Sequence, residues 1–533
     1  MSAGSVSSAR DEESHPGADP APRAATCAAL AAITLLGLLL RVVGVADRSF
    51  WLDEILTYKD SIKPLSLILA GDHSSVHPPL LYVVTHFLVA TLGSTEAILR
   101  SQAVLFGTLA IPAAYWLARA FAGRGAAFLA AFLLAVSPFH VRYSQEARHY
   151  AMTTFFTLIA FAALARGMRA ALDGNEKPRA RDALLFGLAG ILALFSHFGA
   201  APQLAAAGAV VGAFLAREAV GRRKDAVRRL VAFSAAGFGA ILLAIFPLAA
   251  KLAELASATL THLPPEARNR AAKVTVMPIL ENPLFPLEFL EAVAGGALPV
   301  LALLLLLGGA RLYRTEGGRR SIFFLAAWAF LPLAALLVLP ASKSLAERYF
   351  LPSLPAFLVC AALGLEALRD LAAAAWPRIR AGRPRVAAAA VLALAAAGSG
   401  APALAEFYGE EKWPWRESFE LVASEAEPGD GVIVYPEFLG VVLEFYRDTA
   451  APARPLLSAP EIEAAERDED GVRSIFVLGS HLNKPARVRR HTQLVAYLLG
   501  RFDETSRRML GTISITRLDR KGGASAPPRI RPE

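Results

Sequence analysis

Eleven apolar stretches of membrane-spanning length restrict this chain to a polytopic membrane protein. They lie near residues 24–46, 98–118, 126–142, 149–166, 183–198, 200–216, 230–250, 291–310, 321–340, 349–368 and 386–404. A spanning helix needs roughly 20 mainly apolar residues. With no water in the hydrocarbon, each span must satisfy its own backbone polar groups, which a helix does. The chain has 533 residues, 55% of them hydrophobic, and this excludes a soluble enzyme of that length. Its net charge of +9 would suggest a nucleic-acid partner in a soluble protein. Here the arginines gather in short loops between apolar stretches and report topology instead, so no nucleic acid is expected. Cys27 and Cys360 both fall in apolar segments, so no disulfide framework is expected. The first span is long and no small-residue cleavage site follows Arg41, which argues against a cleavable signal.

The loops set the orientation. Arg119–Arg124, Arg166–Asp182, Arg217–Arg229, Arg311–Arg320 and Arg369–Arg385 are rich in Arg and Lys, and the intervening loops are balanced or acidic. The two sets alternate without a break, so the positive-inside rule puts the N-terminus in the cytoplasm and the C-terminal region outside. Pro79–Leu92 is apolar but short, and counting it as a span would invert every later loop. It reads as a re-entrant or juxtamembrane helix on the outer face. The expected organisation is a disordered cytoplasmic tail at 1–23, a membrane domain at 24–404, an outer-face α/β domain at 405–520 and a disordered tail at 521–533. In the α/β part, helical patterning at 416–426 leads through Pro428-Gly429-Asp430-Gly431 to a strand at 432–435. A strand at 474–478, a helix near 485–499 and a last strand near 510–517 follow. No dinucleotide fingerprint, Walker loop, His-Glu-x-x-His or nucleophile elbow is present.

Polar groups that could carry chemistry fall at one edge. Asp53 and Glu54 follow Trp51 just past the first span. Acids kept that close to lipid usually line a wet cavity, where a carboxylate can act as a general base. The bland alternative is a solvated loop acid whose neighbour caps a helix. His77 stands before Pro78-Pro79, which suit a first helical turn, so it could meet an anion at a helix mouth or simply mark helix entry. In Ser144–Tyr150, Arg148 could bind phosphate while Glu146 orders it or holds a sugar hydroxyl; a structural Glu–Arg pair fits equally well. Glu146-x-x-His149 has the spacing of half a di-iron site but no second copy, which excludes that metal. His197, Arg348 and Tyr349 are further candidates at the same edge, though a basic residue there can also snorkel to the interface.

Trp51-Leu52-Asp53-Glu54, His77-Pro78-Pro79-Leu80, Ser144–Tyr150, Ser196-His197 and Glu347-Arg348-Tyr349 come in an order that resembles bacterial membrane glycosyltransferases of the GT-C fold. Within these the protein O-mannosyltransferase-like family 39 is most similar, together with transferases of aminoarabinose and galacturonic acid. The resemblance spans roughly residues 30–370. It implies a sugar donor on polyprenyl phosphate, used at the periplasmic face of the bacterial inner membrane without a nucleotide sugar in the active site. It further implies that Asp53 deprotonates the acceptor, that Glu54 assists acceptor or metal placement, and that His77, Arg148 and Arg348 stabilise the departing phosphate. Glu146, Tyr150, His197 and Tyr349 complete the implied donor site. Displacement at the anomeric carbon would invert it. Relatives that transfer aminoarabinose carry Lys at the place of His77, and some use Asp where this chain has Glu146. No cofactor is required by the resemblance; a divalent metal ion stays open. The acceptor is a glycan, a lipid or a protein. A lipid-linked glycan ligase would need the basic residues but not the acid pair. A transporter or flippase predicts polar groups at the bilayer midplane, and a scaffold leaves the acid pair and His77 without a role.

Overall fold

The computed structural model describes residues 23–71, 77–173, 177–262, 282–338, 346–379, 382–410, 413–428, 430–446, 454–455, 472–480 and 485–521. The two tails expected to be disordered lie outside these residues, apart from Arg23, which starts the first helix, and Lys521. The helices up to residue 262 are α1 Arg23–Val42, α2 Leu52–Ser61, α3 Leu65–Ala70, α4 Leu80–Leu92, α5 Glu96–Ala118, α6 Arg124–Val136, α7 Pro138–Tyr143, α8 Tyr150–Asp173, α9 Ala180–Ser196, α10 Ala200–Val220 and α11 Lys224–His262. Phe285–Ala294, Leu298–Tyr313, Gly318–Val338, Leu354–Ala375, Gly382–Ser399 and Ala401–Gly409 follow.

Each of the eleven apolar stretches therefore holds a helix, but not each is one full span. Among the described residues six helices are long and apolar enough to cross a membrane, or eight if each of two bent pairs counts once. The stretch at 126–142 is cut into α6 and α7 because Pro138 cannot continue the ladder. The stretch at 291–310 begins in a separate helix: Phe285–Ala294 meets Leu298–Tyr313 at 84°. Gly295 and Gly296, with φ of 60° and 87°, make that corner. The short Pro79–Leu92 segment is the 13-residue helix α4. Exposed side chains such as Leu243, Phe246 and Leu306 cover the outside of the bundle, as lipid-facing positions should.

The break at Pro138 is repaired by a buried arginine. Pro138 has no N–H, so the carbonyl of Leu134 loses its helical partner. Arg41, fully buried at the end of α1, donates to the carbonyls of Leu134 (3.2 Å), Ala135 (3.0 Å) and Gly37 (2.7 Å). It also donates to His140 Nδ1 (2.8 Å) and Ser144 Oγ (3.3 Å). Every N–H-bearing nitrogen of the guanidinium is engaged, which is what a charge inside a membrane protein needs.

The Arg-rich loops come together at one end of the bundle. Arg320 reaches Asp173 (3.5 Å) and Glu218 (3.9 Å), while Arg311 and Arg385 both reach Asp370 (2.6 and 3.2 Å). Helices α8 and Leu354–Ala375 leave the opposite end, where Tyr150 and Arg348 stand, and run to this one. Two helices cross in backbone contact: a Cβ on Gly308 would lie 2.0 Å from the Cys360 carbonyl oxygen, and one on Gly364 would lie 2.1 Å from that of Leu304. Small residues allow this approach in membrane bundles.

The C-terminal residues build a mixed five-stranded sheet in the order β2-β1-β3-β5-β4. β1 is Gly431–Tyr435, β2 Arg454–Pro455, β3 Ser474–Gly479, β4 Phe502–Leu510 and β5 Ile513–Arg520. β1 pairs parallel with β2 and β3, and β5 pairs antiparallel with β3 and β4. The single strand expected near 510–517 is thus a hairpin turning at Gly511. Its first arm is a mostly exposed edge strand, whose polar sequence carries little alternation to read. The helices Trp415–Glu425 and Gly440–Tyr446 pack this sheet against α2, and one apolar cluster joins Trp415, Phe419 and Tyr446 to Phe50, Ile55, Leu99 and Ala147.

Because the Gly308–Cys360 and Gly364–Leu304 contacts involve backbone, Gly308→Val or Gly364→Val is expected to cost at least about 1–3 kcal/mol. Thermal unfolding of purified protein in detergent should show the loss, whereas Gly309→Ala, which meets open space, should not.

Candidate active site

Asp53 and Glu54 are neighbours in the first turn of α2, so their side chains point about 100° apart. Glu54 turns inward and is 1% exposed. Its Oε1 accepts from Arg100 Nε and the Ala147 N–H, both at 2.8 Å. Its Oε2 accepts from Arg100 Nη2 at 2.8 Å and the Trp51 N–H at 3.3 Å. Arg100 in turn donates to the carbonyls of Val45, Arg48 and Ser49. The pair holds the loop before α2 to helix α5. Arg100 was not singled out in the sequence; its signal is a lone Arg inside an apolar span.

Asp53 turns the other way and keeps about a third of its side chain open, 32%. Arg148 Nη2 lies 4.0 Å from its carboxylate, and Arg148 Nη1 donates to its carbonyl (3.1 Å) and to Thr57 Oγ1 (2.9 Å). The same guanidinium is 3.5 Å from His77 Nε2. His77 stands 5.1 Å, ring to ring, from both His149 and His197, and these two stack at 3.7 Å with planes 6° apart. His197 continues toward Tyr349 at 6.2 Å. The Arg348 guanidinium sits 5.4–6.0 Å from the ring centroids of Trp51, Tyr150 and Tyr349. Asp53, His77, Arg148, Tyr150, His197, Arg348 and Tyr349 are therefore brought together from five separate stretches of chain. Glu146 lines an adjoining small cleft with Arg48, Arg142, Gln145 and Phe407, which also touches Trp51 and Glu54.

Several buried nitrogens here carry no hydrogen bond: Trp51 Nε1, Arg148 Nε, Arg348 Nε and both ring nitrogens of His149. Leaving such groups unmet costs about 1–3 kcal/mol each, so a cluster of them marks a place shaped for a hydrogen-bonding ligand, and the flanking guanidiniums make that ligand an anion. His149, missed as a candidate although it lies beside Arg148, is 1% exposed.

No family model and no curated protein matches the sequence. Solved structures do match its fold. ArnT from Cupriavidus metallidurans bound to undecaprenyl phosphate superposes at a TM-score of 0.57 with 15% identity, over 92% of this chain and 97% of that one. The fold is GT-C. The archaeal oligosaccharyltransferase AglB from Archaeoglobus fulgidus, in complex with an inhibitory peptide and a dolichol-phosphate, matches at 0.50 with 16% identity, over 92% and 74%. A crystal structure of an Archaeoglobus fulgidus oligosaccharyltransferase in complex with Zn and sulfate matches at 0.50 with 16% identity, over 88% and 69%. Among the described residues no group of three or more His, Cys, Asp or Glu side chains is placed to hold a metal ion. Both oxygens of Glu54 are already taken and Arg148 stands beside Asp53, so the charges suit an anion.

Removing one partner of the Glu54–Arg100 pair strands a buried charge, which costs about 3–5 kcal/mol. Glu54→Gln and Arg100→Met are expected to show losses of that size in thermal or denaturant unfolding, and Arg100→Lys, lacking the fork, should not restore stability.

Proposed function

We propose that the chain is a glycosyltransferase that moves a sugar from a polyprenyl-phosphate donor to an acceptor hydroxyl, with inversion, at the periplasmic face of the inner membrane. The observation that carries this reading is the set of buried, unmet donors around Arg148, His149 and Arg348, one side chain away from the half-open carboxylate of Asp53. The GT-C fold supports it, as do the lipid phosphates in the solved structures of ArnT and AglB.

The acceptor hydroxyl donates to Asp53, which takes its proton as the oxygen attacks the anomeric carbon from the face opposite the phosphate. The bond from that carbon to the phosphate oxygen breaks, and its electron pair leaves with the polyprenyl phosphate. Arg148 and Arg348 meet the charge that gathers on the leaving oxygen, where a dry site makes fixed positive groups most effective. His149 offers a ring N–H to the same phosphate, and His77 and His197 flank it. Tyr150 and Tyr349 wall the sugar against Arg348, and Glu146 reaches a sugar hydroxyl from the adjoining cleft. Glu54 works through the loop it holds: with Arg100 it sets the direction of Asp53. The lipid tail keeps the donor in the bilayer, so the site opens sideways at the interface.

A reconstituted assay with radiolabelled polyprenyl-phosphate sugars tests this. Asp53→Asn should lower transfer by about 10²–10⁴-fold, the usual worth of a positioned base, while still binding polyprenyl phosphate. Arg348→Gln should weaken that binding. Transfer by Asp53→Asn at the wild-type rate would sink the base assignment and favour a ligase or a flippase.

A further inference from the structure

The loop that delivers Asp53 is gripped from two sides, and only one grip belongs to the membrane bundle. From α5, Arg100 takes the carbonyls of Val45, Arg48 and Ser49. The groups Arg100 leaves are taken from the C-terminal unit. Arg416 donates to the carbonyls of Ala46 (3.4 Å) and Asp47 (2.9 Å). The Phe50 N–H donates to Tyr446 Oη at 2.9 Å, and the Tyr446 hydroxyl donates to Glu96 on α5 at 3.3 Å. Ser49 Oγ donates to Glu417 at 2.7 Å and accepts the Arg416 N–H at 3.1 Å. The apolar contacts interlock in the same way, with Phe445 edge-on to Phe50 and Tyr58 at 5.3 and 5.1 Å. Phe50 is 0% exposed in a cluster made mostly by the C-terminal unit.

We propose that the C-terminal unit completes the active site: Tyr446 and Arg416 are positioning residues that hold the 46–50 backbone so that Asp53 meets the acceptor at the correct angle. Carbonyls and N–H groups that alternate between two grips leave the segment no slack, and the second grip is lost if the unit moves. Neither residue touches the reacting groups. The inference rests on Asp53 acting as base, but the rigidity of the loop is measurable without any reaction.

The experiment uses the full chain in lipid nanodiscs and compares wild type, Tyr446→Phe and Arg416→Lys. Met509→Ala, on the exposed edge strand, serves as control. Backbone hydrogen exchange over 46–57 is read by mass spectrometry, and kcat and KM for sugar transfer are read beside binding of polyprenyl phosphate. Loss of the hydroxyl in Tyr446→Phe, or of the fork in Arg416→Lys, is expected to speed exchange in that segment at least tenfold. It should lower kcat by about 10–100-fold, the scale of a small misplacement of a catalytic group, with KM and polyprenyl-phosphate binding within twofold of wild type. The control should match wild type in all three. Wild-type exchange in both variants overturns the grip. Faster exchange with unchanged kcat overturns its role in positioning Asp53. If no donor is turned over by wild type, the transferase reading fails by itself and the exchange result still decides whether the loop is held from the C-terminal unit. Should Tyr446→Phe not fold, Arg416→Lys carries the test, since it keeps the charge opposite Glu96.

Discussion

The buried pair between Glu54 and Arg100 is the constraint on which the site depends. A charge removed from water is tolerated only when paired and fully hydrogen-bonded, and here two oxygens and three nitrogens meet every need of both groups within the protein. What the pair secures is geometry. It ties the loop after the first span to α5 and starts α2 at a fixed angle. The helical turn then carries the next carboxylate, Asp53, away from Arg100 and toward Arg148. Two adjacent acids thus have opposite fates: one spends all its hydrogen-bonding capacity on structure and the other keeps an open face.

The arginines of this chain divide in the same manner. Arg41 and Arg100 are spent, the first on carbonyls freed by Pro138 and the second on Glu54 and the loop. Arg148 and Arg348 keep a buried Nε without a hydrogen bond. Inside a low-dielectric bundle that difference is large, because an unmet donor is destabilising in proportion to its burial. Stability and function therefore separate residue by residue. Substitutions at Arg41 or Arg100 should act on folding, and substitutions at Arg148 or Arg348 on ligand binding. The stacked His149 and His197 rings belong to the second group, since neither ring nitrogen of the buried His149 has a hydrogen-bond partner.

How much of this could be read beforehand depends on the range of the interaction. The apolar stretches located a helix at every expected place, because each spanning segment must satisfy its own backbone. They misjudged where Pro138 and Gly295-Gly296 would divide a stretch. A break leaves apolar composition unchanged and shows only in the backbone. The polar edge strand at 502–510 escaped notice for the opposite reason: it is exposed on nearly all its length and so has no alternation to betray it. Seven of the candidate residues converge as a group, whereas Arg100 passed unremarked because a single Arg in an apolar context carries little local pattern, and His149 was weighed only as half of a metal site.

By itself the sequence determined the polytopic helical architecture, the common side of the Arg-rich loops and the gathering of polar groups at the other edge. Those follow from the cost of putting backbone and charge into hydrocarbon, which acts locally along the chain. Only the tertiary structure decided that Glu54 is a structural carboxylate and Asp53 an available one. It also decided that Arg148 rather than Arg100 faces the open site, and that the C-terminal unit reaches over to hold residues 46–50. These depend on partners tens to hundreds of residues away, and the spacing of residues along a chain does not record which of two neighbouring acids a distant arginine will take.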